Sequence, residues 1–323
     1  MDTWFKALKT NPFSALLGSD DPALLFFVER DLLGNISGSV EDLWDLPNPQ
    51  KVLSKQQHDG SWRYHGNRPG DEFGEAYELL ETWKTLRGLV EMAGFNRKHP
   101  GIERACEFIL TYQTAEGDIR GILSNQYIPY YMGAILEILI KAGYIEDERI
   151  ESGMKWLLEM RQSDGGWIIP MTMFKMREYY RLFNQPPIPP EKDRPFSHMA
   201  TGMVIRAFAA HPVYRRSQEA VHAGNLLKNR FFKKDVYTSR QNESYWLKFQ
   251  FPFWWADLLT VMDSLKRMEF EKQDKDIQKG INWFIENQAP DGLWAASYGG
   301  STKGQSDYWI TLAICRVLRY FLE

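Results

Sequence analysis

A short turn recurs along this chain and constrains its fold more than any other feature. Residues 55–62 read KQQHDGSW, 112–119 YQTAEGDI, 161–167 RQSDGGW and 287–294 NQAPDGLW. Each copy carries a Gln, then an acid, then a Gly, and three of the four end in Trp. The Gln positions are Gln57, Gln113, Gln162 and Gln288, and the last interval is about twice the others. One copy has therefore lost its motif. The stretch NRFFKKD, residues 229–235, lies near the midpoint and reads as the degenerate one. Self-similarity at such a period marks a repeat architecture.

The surroundings of the turns repeat as well. Before each comes an amphipathic run such as IERACEFIL, RIESGMKWLLEM or DIQKGINWFIEN, with apolar residues three and four apart. That spacing is a helix with one buried face. After each comes a more apolar run, such as YYMGAILEILIKAGY, HMATGMVIRAFAAHP or YWITLAICRVLRYF. Two of these close on Ala-Gly-aromatic, at Gly94 and Gly143, where glycine suits the left-handed residue that ends a helix. The unit is one polar-backed helix, a turn, and one more deeply buried helix. Within the turn, Gly permits the tight bend, the acid accepts turn N–H groups, and Trp supplies a large apolar face with one donor. The turn reads as a staple between successive helix pairs.

The unit recurs from about Gln50 to Glu323, so residues 49–323 are expected to form one domain. Residues 1–48 lack the turn but carry two helical stretches, DPALLFFVERDLLG and SVEDLWDL. They are expected to cap the array as an atypical first pair, continuous with it, as terminal repeats do. The chain is 323 residues long with a net charge of −3 and two cysteines, Cys106 and Cys315, without CxxC spacing. Such a balance argues against a nucleic-acid binder. The cysteines give no disulfide framework and no zinc motif. No signal-peptide pattern opens the chain and no apolar run reaches the ~20 residues of a membrane span. The expectations are a cytoplasmic protein without stable membrane insertion, cofactor, metal or obligatory partner subunit.

The Gln–acid–Gly–Trp turn between helix pairs resembles the QW repeat of the terpenoid cyclases, and the prenyltransferase and squalene-oxidase repeat of the same superfamily. The resemblance covers residues 51–323. It implies an all-α fold, an α/α toroid of five to six helix pairs with an inner ring around a central cavity. It also implies structural ties at Gln57, Asp59, Trp62, Gln162, Asp164, Trp167, Gln288, Asp291 and Trp294. Gln113 and Gly117 match in part, since Ile119 stands where the Trp is. The chain departs from squalene-type cyclases in having no Asp-x-Asp-Asp motif. It departs from the prenyltransferases in that neither cysteine has the acidic neighbour their zinc site needs.

In such a toroid the cavity mouth lies at the starts of the inner helices, and the polar and aromatic residues there are the candidates. Glu78, Trp83, Tyr130, Tyr131, Trp254, Trp255, Tyr308 and Trp309 are the expected ligand-binding set; Asp71, Glu72 and Glu75 stand in the same first loop. Aromatic walls stabilise cations, and aromatics also fill cores. Asp257 is the expected proton donor. It follows the cluster FPFWWA, and a carboxyl among aromatics loses hydration and rises in pKa. A helix over this stretch would put Trp254 and Asp257 on one face. The bland alternative is a capping or ion-paired Asp. His198, in RPFSHMATG, is the second catalytic candidate, against a buried His with its bonds satisfied. Two readings compete. One is a squalene/terpene-cyclase-like protein that binds an isoprenoid or other apolar small molecule and carries out acid-initiated cyclisation, isomerisation or hydration. The other is a non-catalytic toroid that binds a ligand or a protein. Two insertions, 183–195 and 237–252, precede inner helices and are expected to cover the mouth.

Overall fold

The computed structural model describes residues 4–35, 38–66, 76–173, 181–183, 185–237, 242–298 and 303–323. Its α-helices, in chain order, are α1 (Phe13–Leu17), α2 (Pro22–Val28), α3 (Pro47–Leu53), α4 (Tyr77–Ala93), α5 (Pro100–Leu110) and α6 (Pro129–Leu139). There follow α7 (Glu148–Glu159), α8 (His198–Ala210), α9 (Gln218–Lys228), α10 (Leu258–Arg267), α11 (Lys275–Glu286) and α12 (Lys303–Leu322). Among the described residues there is no strand, only two isolated bridges. None of these helices is long and apolar enough to cross a membrane.

The contacts between helices close a ring. Helices α2, α4, α6, α8, α10 and α12 each pack on the next, and α12 packs back on α2. The alternate helices lie outside them: α7 packs on α6 and α8, α9 on α8 and α10, α11 on α10 and α12, and α1 on α2 and α12. Among the described residues this is an α/α toroid of six helix pairs, with the first pair built from the N-terminal helices. Amphipathicity explains the layering. Helices α5, α7 and α11 carry one buried face, whereas every residue of α6 is buried. A helix that is apolar all round belongs between two layers. The tightest inner crossing is α6 on α8, where a Cβ on Gly133 would stand 2.5 Å from the Cα of Val204.

The repeated turn is the joint between pairs, and its bonds repeat. Trp62, Trp167 and Trp294 each donate their indole N–H to a carbonyl ten residues back, on Val52, Leu157 and Phe284, at 2.7–2.9 Å. Their backbone N–H groups donate to the hydroxyls of Thr82, Thr201 and Thr311 on the following inner helix. In the copy that ends in Ile119, the Met132 sulfur takes the place of that hydroxyl. Trp246 donates its indole N–H to Lys233 O, so the degenerate copy keeps a Trp farther along the chain. The motif glycines, Gly60, Gly117, Gly165 and Gly292, all have φ near +90 to +100°, the region other residues avoid.

The Gln staple needs one correction. In the first turn the tie is Gln56, which donates to Gly60 O and to Gly101 O on α5. Gln57 bonds only within its own turn, to Ser61 Oγ. Gln113 matches Gln56, donating to Gly117 O and to Arg149 O on α7. Gln288 donates to Gly292 O and Thr10 O and accepts from Thr10 N, so the last turn is stapled to the first residues of the chain.

Candidate functional site

The interior of the ring is occupied by chain. Between Trp246 and α10, residues 249–257 leave the outer layer and run non-helically into the centre. Two arginines, from the inner helices on either side of α6, hold this segment by its carbonyls. Arg87 of α4 donates to Phe253 O at 3.0 Å, and Arg206 of α8 donates to Phe253 O at 3.0 Å and Trp254 O at 2.9 Å. Arg206 also pairs with Glu137 of α6, both side chains being almost wholly buried. Burial works to raise the Glu137 carboxyl, but Arg206 and Lys141 outweigh it and hold the group charged. Burial, with Arg206 nearby, brings Arg87 down to about 10. Gly202 of α8 leaves room for Ala256 of the segment, whose Cβ would meet an added one at 2.5 Å.

This inward course revises two expectations. Residues 251–256 are not helical, so Trp254 and Asp257 do not share a helix face. Asp257 instead begins α10. Its carboxylate accepts from Thr260 N at 2.8 Å while its own N–H donates to Thr260 Oγ1, a capping box. Burial pushes its pKa up to about 7, the direction the aromatic neighbourhood implies. Of the second insertion, residues 249–252 belong to this inward segment, Glu243–Leu247 form a short 3-10 helix whose Trp246 bonds Lys233 O, and residues 238–241 lie outside the described set. The first is tied down along its length: Gln126 donates to Leu182 O and accepts from Ile188 N, and Gln162 donates to Glu191 O and Arg194 O. Asn184 is likewise outside the described residues.

The other candidates fall into separate groups. Trp83, Tyr130, Tyr131, Trp254 and Trp255 form one aromatic cluster. Trp83 lies 5.2 Å from Trp254 and 5.5 Å from Tyr131, edge to face, and Tyr130 and Trp255 extend the chain of rings. Arg87 stands over both Trp83 and Trp254 at about 5 Å. Trp309 belongs elsewhere, stacked on Phe251 at 5.6 Å and edge-on to Phe27, with its N–H on Asp21. Tyr308 is half-buried beside it in sequence and lines neither large cavity. Glu78 sits in the first turn of α4, where its charge acts on Tyr112 after burial. Asp71, Glu72 and Glu75 lie outside the described residues. His198, at the start of α8, is buried against Trp246 at 4.5 Å, with Asp235 3.9 Å away. Burial lowers its pKa, and Asp235 opposes that. His198 and Trp255 meet at one narrow cleft with Tyr245 and Lys248. Among the described residues no three His, Cys, Asp or Glu groups come together as a metal site.

Two larger cavities lie on either side of Phe251, which lines both. One, of about 680 Å³, is bounded by the N-terminal ends of α2 and α12, the middle of α4 and the outer helix α3. Leu89, Met92, Val52, Leu46 and Trp309 form its walls, with Lys84, Asp21 and Gln305 among its polar groups. The other, of about 670 Å³, opens at the C-terminal ends of the inner helices and is strongly charged. Local pattern did not point to either. The mid-helix Gly88, which opens the wall of the first, and the Arg316–Arg319 pair, which lines the second, were the available signals.

No protein-family model and no curated protein sequence matches the chain. Solved structures do. A protein from Actinoplanes is 15% identical over 88% of each chain, with a TM-score of 0.44. A variant of the type II terpene cyclase MstE from Scytonema, in complex with geranylgeranyl dihydroxybenzoate, is 13% identical over 88% of this chain and 98% of that one, at 0.40. The toroid rests on the closed ring of helix contacts.

Proposed function

We propose that this protein binds an apolar small molecule of isoprenoid-like chemistry in the cavity between α3, α4 and α12. The cavity itself carries the reading. At about 680 Å³ it has the size and the mostly apolar, partly aromatic wall of a small-molecule site, with a few polar groups to orient a ligand. Gly88 supports it further. Glycine in mid-helix is unfavourable by roughly 1 kcal/mol relative to Ala, and here nothing lies within 4 Å of where its Cβ would be. The helix gives up propensity at the point where a side chain would enter the pocket. The isoprenoid class comes from the resemblance of the turns to those of the terpenoid cyclases.

Binding stands ahead of acid-initiated cyclisation, isomerisation or hydration. Asp257 lines neither large cavity and its carboxylate is engaged as a helix cap. The Asp-x-Asp-Asp segment of the squalene-type cyclases has no counterpart in the sequence.

The test titrates geranylgeraniol against the tryptophan fluorescence of the native protein, with mass spectrometry of small molecules that co-purify. Saturable quenching from Trp309 is expected. Gly88→Leu should fill the pocket, weaken that binding at least about tenfold, and leave the melting temperature unchanged or higher. The reading fails if no saturable response and no co-purifying apolar molecule are found, or if Gly88→Leu binds as the parent does. Formation of a rearranged product that Asp257→Asn abolishes would restore the enzyme reading.

A further inference from the structure

We propose that the cavity at the C-terminal mouth of the ring is a binding site for a small oxyanion of the phosphate class. This site is distinct from the apolar pocket and does not depend on it. Its walls carry six cations, Arg30, Lys141, Lys266, Arg267, Arg316 and Arg319, against four carboxylates, Asp31, Glu91, Asp263 and Glu323. They come from five inner helices and the turns that follow them, widely separated in sequence, and only ring closure brings them together.

The pairing leaves positive charge in surplus. Asp263 alone answers both Lys266 and Arg267, each at 2.8 Å. Asp31 answers both Arg30 and Arg316, each at 2.5 Å, and its carbonyl accepts from Arg319, which also pairs with Glu323 at 3.1 Å. Lys141 goes the other way, meeting both Glu91 and the deeper Glu137, but Glu137 is also answered by Arg206 from outside the cavity wall. The helix ends add partial negative charge, but that field fades within the last turn, and Arg316 stands more than a turn before the end of α12. Phe27, Phe251 and Phe253 also line it, and beside such apolar walls charges act more strongly than in bulk water. Lys266 feels the imbalance. Burial lowers its pKa, Asp263 opposes, and Arg267 and Arg316 push it lower again.

The side-chain types choose the ligand. Four of the six are arginines, whose planar donor forks match phosphate and carboxylate oxygens two at a time. A single carboxylate engages one or two such forks. A tetrahedral, multiply charged oxyanion presents oxygens in several directions and engages forks from opposite walls together. At about 670 Å³ the cavity has room for a phosphate that is free or carried on a small molecule.

Calorimetric titration of the full chain with inorganic phosphate and, separately, with glycerol 3-phosphate tests this, with sodium chloride holding ionic strength constant. Saturable binding of at least one is expected. Uptake of inorganic phosphate identifies a free-anion site, and uptake of the ester alone identifies a site for a phosphorylated molecule. Lys266→Gln and Arg316→Gln should each weaken binding about tenfold or more, the usual worth of a charge-assisted hydrogen bond. Gly88→Leu should leave it unchanged, which separates this site from the apolar pocket. The proposal is overturned if neither phosphate binds above the chloride control. It is overturned equally if Lys266→Gln or Arg316→Gln, shown folded by circular dichroism, binds as tightly as the parent. Should Arg316→Gln fail to fold, the parent titration and Lys266→Gln decide.

Discussion

The Asp257 carboxyl, moved from 3.8 to about 7 chiefly by burial, makes stability depend on pH in a direction opposite to the usual Asp. The folded chain holds this proton more tightly than the unfolded chain. Its contribution is therefore fully present below about pH 4 and is lost as pH rises toward 7. Asp257→Asn keeps a good N-cap and cannot ionise. The variant should melt with the parent at pH 4 and above it at pH 8; parallel melting curves across that range would show that Asp257 does not titrate there. The staple residues give a second residue-scale expectation. Trp167 is wholly buried, so Trp167→Ala should cost about 3–5 kcal/mol, and Trp62→Ala and Trp294→Ala should behave alike. Thr201→Val removes the acceptor for Trp167 N and should cost about 1–3 kcal/mol, the penalty for a buried donor left unpaired. Gln56→Ala should destabilise more than Gln57→Ala, since only Gln56 reaches the next outer helix. Denaturant melts of the pair decide which Gln is the tie. The sequence holds two adjacent glutamines there, and counting back from the last residue of the turn favours Gln56: Gln56, Gln113 and Gln288 stand six residues before Trp62, Ile119 and Trp294, whereas Gln162, in the shorter third turn, stands five before Trp167.

At the scale of elements, the helix pairs were legible because the pairs carry local signals: three–four periodicity and, in several of them, a left-handed glycine or a Trp after the turn. The segment 249–257 was not. FPFWWADLL reads as the start of a buried helix because it is apolar and aromatic throughout. It stays extended because its carbonyls are satisfied from outside, by Arg87 and Arg206, which lie 166 and 47 residues away in sequence from Phe253. No local pattern encodes an acceptor supplied at such a distance. The same dependence gives a test of what holds the segment. Arg206→Met leaves the buried Glu137 with Lys141 as its remaining cation and should cost about 3 kcal/mol, the low end for breaking a buried pair. Replacing Glu137 and Arg206 together by Leu and Met removes both charges and should cost clearly less than the sum of the two single changes. A double-mutant cycle by chemical denaturation checks this; additive losses would mean that the pair is not coupled and that Arg206 acts only through the carbonyls of the segment.

At the scale of the whole molecule, closure is the property that sequence-local reasoning reached only by resemblance. An open array of helix pairs and a closed ring have the same repeats; they differ in whether the last pair meets the first. Here α12 packs on α1 and α2, and the Gln288 side chain makes a two-way bond with the backbone of Thr10. The Gln that elsewhere ties one turn to the next outer helix is used at the end to tie the chain to its own beginning. Closure also creates both cavities, since the apolar one needs α2 and α12 side by side, and the charged one needs Arg30 and Asp31 to face Arg316 and Arg319 across the seam. The seam should therefore matter to the sites more than to the individual helices. Gln288→Ala removes the staple while leaving every helix intact. It should cost about 1–3 kcal/mol, because the Thr10 N–H and carbonyl lose their partner. It should also speed amide exchange in α1, α2 and the first turns of α12 while α6 and α8, on the far side of the ring, exchange as before. Ligand affinity at both cavities should fall together with that local opening, since each is built across the seam. Uniform acceleration throughout the chain would instead show that the ring opens only by global unfolding, with no weak point at its join.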